Sequence, residues 1–164
     1  MGFKFKLIRH GKVPTAKVFQ EAIRAENARV RAGIRQDFQA TVATWETDVK
    51  FKTRERGRRD KLIFDVRTDS EVYHYVTEGT EPHLIVPRRP LGTLKFATGY
   101  TAKTRPGFIG STPGGARGDV AFAKFVQHPG TEGRHFEEAI AKKWQKLYPS
   151  LMTQIITKIA RQFS

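Results

Sequence analysis

A chain of 164 residues with 38% hydrophobic side chains is long enough to bury one core and too apolar for wholesale disorder, so one domain over 1–164 is expected. Thirty Lys and Arg against 16 Asp and Glu give a formal net charge of +14, which favours a polyanion or an acidic protein as partner. The absence of cysteine excludes disulfide and thiolate chemistry and suits a protein made in a reducing cytoplasm; the longest apolar run is four residues, Val120 to Ala123, too short for a membrane span.

Residues 1–12 alternate Phe3, Phe5 and Leu7 with Lys4 and Lys6, the period of a short half-buried strand, or else form a basic arm. From Thr15 to Trp45, Phe19, Ile23, Val30, Ile34, Phe38, Val42 and Trp45 recur at three-, four- and seven-residue steps. That spacing predicts one long helix with Thr15 as N-cap. Its flanks carry Arg24, Arg29, Arg31 and Arg35, either a basic face for DNA or a solvated flank offset by Glu21, Glu26 and Asp37.

Residues 49–61 begin as a strand and end in a charged tip, with Gly57 supplying the turn. Arg54, Arg56, Arg58 and Arg59 crowd that tip, as phosphate or subunit contacts or as a solubilising turn. Leu62, Phe64 and Val66 alternate with polar neighbours, and a turn at 68–70 leads to Val72, His74 and Val76; this reads as a hairpin, with EVYHYV alternatively helical. HLIVP and LGTLKFA read as further short strands. Residues 98–118, with six glycines and two prolines, read as an extended loop made basic by Lys103, Arg105 and Arg117. A strand follows over 120–126. Phe136, Ile140, Trp144, Leu147, Leu151, Ile155, Ile159 and Phe163 then space a C-terminal helix, with a kink or break expected at Pro149. The fold class is α+β: a long N-terminal helix and a kinked C-terminal helix on a small, mainly antiparallel sheet.

No pattern supports an enzyme, a cofactor or a metal. GSTPGGARG lacks the GK[ST] ending of a phosphate loop, and His10, His74, His83, His128 and His135 include no HExxH pair. Asp65, Asp69 and Glu71 sit around a turn, which collects acids for its own reasons. FVQHPGTEGRHFEEAI reads as a corner: Pro129 ends a strand, Gly130 permits the reversal, Thr131 caps amides, and His128 fixes the turn by a hydrogen bond.

The ordered set YVTEGT, PHLIVP, LKFA, TRPG and FVQHPGT, followed by a Phe-initiated helix, resembles the tail-completion and minor-tail proteins of long-tailed bacteriophages over residues 15–160. The family's turn often has a proline just before the helix Phe, where this chain has His135. The resemblance implies a structural virion protein at the neck or head-proximal tail, forming a ring, expected as a hexamer, between the head connector and the tail tube or terminator. Genome DNA would pass through it, no membrane is involved, and no catalytic residues carry over. The alternative is a non-sequence-specific nucleic-acid-binding protein.

Overall fold

The computed structural model describes residues 15–58 and 61–163; the expected strand or arm over 1–12, and Arg59, lie outside the described residues. In chain order the elements are α1 (Ala16–Thr41), β1 (Lys52–Arg58), β2 (Lys61–Arg67), α2 (Glu71–Glu78), β3 (Gly79–Thr80), β4 (His83–Ile85), β5 (Leu94–Thr101), β6 (Gly115–Ala123), β7 (Val126–His128), β8 (Thr131–Glu132) and α3 (Phe136–Phe163). The fold is α+β, with long helices at both ends and antiparallel strands between. The strands form four two-stranded ladders rather than one sheet: β1–β2, β3–β8, β4–β7 and β5–β6.

The apolar stripe of α1 buries Val30, Ile34 and Phe38 against Val49 and Phe51, Tyr73 of α2, and Phe136 and Ile140 of α3. Aromatic rings chain through this core: Phe38 to Phe51 at 5.3 Å, Phe51 to Tyr73 at 5.1 Å, Tyr73 to Phe136 at 5.7 Å between centroids. Helices α1 and α3 run antiparallel, because Asp37 meets Lys143 and Trp144 while Asn27 meets Tyr148. Trp144 lies directly on Gly33, where an added Cβ would come within 2.5 Å of the indole.

Several local expectations change. Helix α1 stops at Thr41, and Thr15 makes no side-chain cap bond, so the helix is held by packing rather than by its cap. The hairpin does not join 62–66 to 72–76. It joins β1 to β2, from Lys52 opposite Arg67 to Arg58 opposite Lys61, with Gly57 paired inside β1, while EVYHYV is helical. Ser70 decides the latter: its hydroxyl accepts from the Tyr73 amide at 3.3 Å, and a capped start overrides the strand-like alternation. The glycine-rich stretch 98–118 is a loop only over 102–114, since β5 extends to Thr101 and β6 starts at Gly115. The strand expected over 120–126 divides at Lys124 and Phe125 into β6 and β7.

Helix α3 runs through Pro149 without dividing. Pro149 is exposed, and hydroxyls brace its turn: Ser150 donates to the Leu147 carbonyl at 2.9 Å and Thr153 to the Pro149 carbonyl at 3.0 Å. The core-facing residue in this turn is Tyr148, which donates to Asn27 at 3.0 Å, while Leu147 is exposed.

Gly33→Ala tests the helix contact. Glycine to alanine within a helix ordinarily stabilises by up to about 1 kcal/mol. Here the methyl must displace an indole whose Nε1 donates to Asp37 at 2.8 Å, so a net loss of about 1–3 kcal/mol is expected in chemical denaturation.

Candidate functional site

The pieces EGT, PH and HPGT, scattered over some fifty residues of sequence, meet in space. Gly79 and Thr80 pair with Glu132 and Thr131, and His83 to Ile85 pair with His128 to Val126. With β5–β6 these ladders make one interrupted ribbon running from Gly79 and Glu132 out to Thr101 and Gly115. The ribbon doubles back on itself. Tyr100, Ala102, Gly115 and Ala116 at its far end share a cleft of about 510 Å³ with His128, Thr131 and Arg134 at its root. The loop beyond β5 returns to the core, where Ser111 donates to the Ala40 carbonyl at 3.0 Å and the Gly107 amide to the Arg134 carbonyl at 3.4 Å.

At the root, β7 ends at His128 before Pro129, and the Gly130 amide donates to His128 Nδ1 at 3.1 Å. Gly130 has φ +88°, and a Cβ there would run into the Thr80 carbonyl across the ladder. Thr131 does not cap the helix. It sits in β8, five residues before α3, and its side chain is exposed. The cap comes from α2. The Phe136 amide donates to Thr77 Oγ1 at 3.2 Å, and Thr77 Oγ1 donates in turn to the Glu137 carboxylate at 2.5 Å. The Arg134 and His135 amides bond the Val76 and Thr77 carbonyls at 3.1 and 2.9 Å. His135 has φ +48°, a conformation closed to proline. Burial, and then the Glu137 carboxylate, push the Tyr73 phenol up, so it stays protonated.

The ribbon exposes apolar side chains that its own core leaves uncovered. Leu91 is fully exposed, Tyr100 is 74%, Phe122 65% and Phe125 64% exposed, and Leu84, Val86, Phe96 and Val120 join them. Scattered apolar residues are ordinary on a surface, but eight fall on this one ribbon, Val120 and Phe122 on one face of the β5–β6 ladder and Phe96 on the other, a concentration of the kind found at interfaces. The sequence places most of these residues in short strands and Tyr100 in the extended loop, without showing which side chains are uncovered. That depends on what the ribbon packs against.

The basic candidates separate. Arg56 and Arg67 both donate to Asp65, and these hydrogen bonds, Arg56's first, hold its carboxyl below the usual carboxylate range. Any stability the cluster contributes is present above the unfolded carboxylate's pKa and is lost as pH falls through the lower folded value. Lys103 is mostly covered and lies 3.7 Å from Glu46. Arg54, Arg105 and Arg117 are exposed and form no ion pair among the described residues; Arg58 ends β1. These cations lie on three elements: β1, the loop after β5, and β6. Among the described residues no three His, Asp or Glu side chains form a metal-binding cluster, and no helix is long and apolar enough to cross a membrane.

Compared with known proteins, the chain matches no family model, no curated protein and no solved structure.

Thr77→Val keeps the shape of the side chain but leaves the buried Phe136 amide unpaired. A loss of about 1–3 kcal/mol is expected in denaturant melts, with most of it recovered in Thr77→Ser. Gly130→Val forces a branched side chain into the Thr80 backbone, so the soluble folded yield should collapse while Thr131→Ala leaves it unchanged.

Proposed function

We propose that this chain is a structural component of a tailed-bacteriophage virion: a tail-completion or neck protein that assembles with copies of itself into a ring between the head connector and the tail tube. The observation that carries the proposal is the ribbon, whose exposed Leu91, Phe96, Tyr100, Val120, Phe122 and Phe125 need a partner surface. Small two-stranded ladders with open edges add a second means of joining subunits, because an edge strand offers unpaired amides and carbonyls to a neighbour. EGT, PH and HPGT, three pieces of the ordered set that resembles the family, form the root of this ribbon, and LKFA lies along it in β5, so the resemblance and the exposed surface concern the same part of the molecule. Its role is joining rather than catalysis, and its expected partners are its own copies, the head connector and the tail tube or terminator.

Light scattering coupled to size exclusion tests the assembly. The wild-type chain is expected to run as a closed oligomer, with six copies the expected number. Phe122→Ser combined with Phe125→Ser should shift it to monomer without lowering the thermal midpoint by more than a few degrees, because neither ring lies in the core. A wild-type monomer at tens of micromolar that is also absent from purified virions would end the proposal.

A further inference from the structure

We infer that the flank of α1 facing β1 is a docking groove for the sugar-phosphate backbone of duplex DNA, read without regard to sequence. The inference deepens the neck proposal, and rests on it for the presence of DNA, by naming the surface that meets the duplex.

The two flanks of α1 differ in charge. On one, Asp37 accepts from Lys143 at 2.7 Å and from Trp144 at 2.8 Å, tying α1 to α3. The other carries Arg24, Arg31 and Arg35, which fall within one narrow stripe at seven- and four-residue steps. None of these three forms an ion pair among the described residues, whereas Lys17 and Arg29 on the same helix are paired with Glu21 and Glu26. Glu21, one turn before Arg24, is paired with Lys17, and Arg31 and Arg35 have no acid three or four residues away on either side.

The stripe opens onto a groove of about 670 Å³ between α1 and Thr53 of β1. Arg31, Arg35, Gln36 and Gln39 line it with hydrogen-bond donors, Ala28 and Ala32 keep its floor shallow, and no Asp or Glu takes part. Arg31 and Arg35 stand one turn apart, about 6 Å along the axis, and Arg24 extends the stripe to about 16 Å. Over that length one strand of a duplex presents about five phosphates. Guanidiniums suit this chemistry because each presents a fork of donors to phosphate oxygens. The lining offers no projecting helix end or aromatic platform, so contacts to the backbone, which carry no base information, are what it can make.

Fluorescence anisotropy with two 20-base-pair duplexes of unrelated sequence, over a salt series, tests the groove in the full-length chain. Arg31→Ala with Arg35→Ala should lower the magnitude of the log–log salt slope by about 2 and weaken binding roughly 50-fold at 0.1 M salt. Lys142→Ala with Lys146→Ala removes the same charge at the same spacing from an exposed face of α3 and should leave the slope near wild type. Equal effects of the two double variants would reduce the attraction to net charge and overturn the inference. So would tighter binding to the single strand than to the duplex, or a tenfold preference between the duplexes. Rings that form from the Arg31, Arg35 variant with wild-type DNA affinity remove the groove and leave the neck proposal standing. A wild-type chain that binds through the groove yet stays monomeric does the reverse.

Discussion

The hydroxyl of Thr77 holds the two halves of this molecule together. It accepts from the first amide of α3 and donates to Glu137 one residue later, so the C-terminal end of α2 and the N-terminal end of α3 are fixed to each other. Both strands of the ribbon root leave from this junction, since β3 follows α2 directly and β8 leads into α3. Helix ends have unpaired amides that must be satisfied, and here a distant side chain does so where a local cap residue usually would. Phe136, fully buried beside it, ties the same point into the aromatic core. The direction in which the ribbon projects follows from that joint.

Core and ribbon divide the tasks. The helices and the residues flanking β1 form the packed interior, with Val30, Ile34, Phe51, Tyr73, Phe136 and Ile140 in mutual contact. The ribbon adds little to that interior and presents apolar surface outward, an arrangement stable in water only at the risk of self-association. In an assembling protein the same surface becomes the joint. Charge is divided in a similar way: Asp65 and Asp37 compensate the cations around them, while Arg24, Arg31 and Arg35 on the flank of α1 form no ion pair among the described residues. Steering of a polyanion depends on cations left uncompensated in one place, and a sequence-wide total of +14 does not say where that place is.

The long helices were legible because their apolar residues repeat at helical spacing and because no proline interrupts α1. The corner at HPGT was legible too, since Pro129 and Gly130 each restrict or free the backbone in a characteristic way. What could not be read was anything decided at a distance. EVYHYV is a local exception: strand and helix both stood open, and Ser70 just before it caps it as a helix. Thr131 looked like the cap of α3, yet the cap is Thr77, fifty-nine residues before the amide it serves. Pro149 reads as a kink or a break, but Tyr148 on one side, bonded to Asn27, and Leu151 on the other, packed against the core, hold one undivided helix across it. The dense arginines of β1 read from sequence as phosphate or subunit contacts or as a solubilising turn; in the structure Asp65 pairs with Arg56, while Arg54, like Arg24, Arg31 and Arg35 of α1, forms no ion pair among the described residues.

We propose that the ribbon is a joint between subunits, and an electron cryomicroscopy map of the purified oligomer decides it. Leu91, Phe122 and Phe125 are expected to lie buried against a neighbouring subunit in a closed ring; a ring in which every ribbon projects into solvent would overturn the proposal.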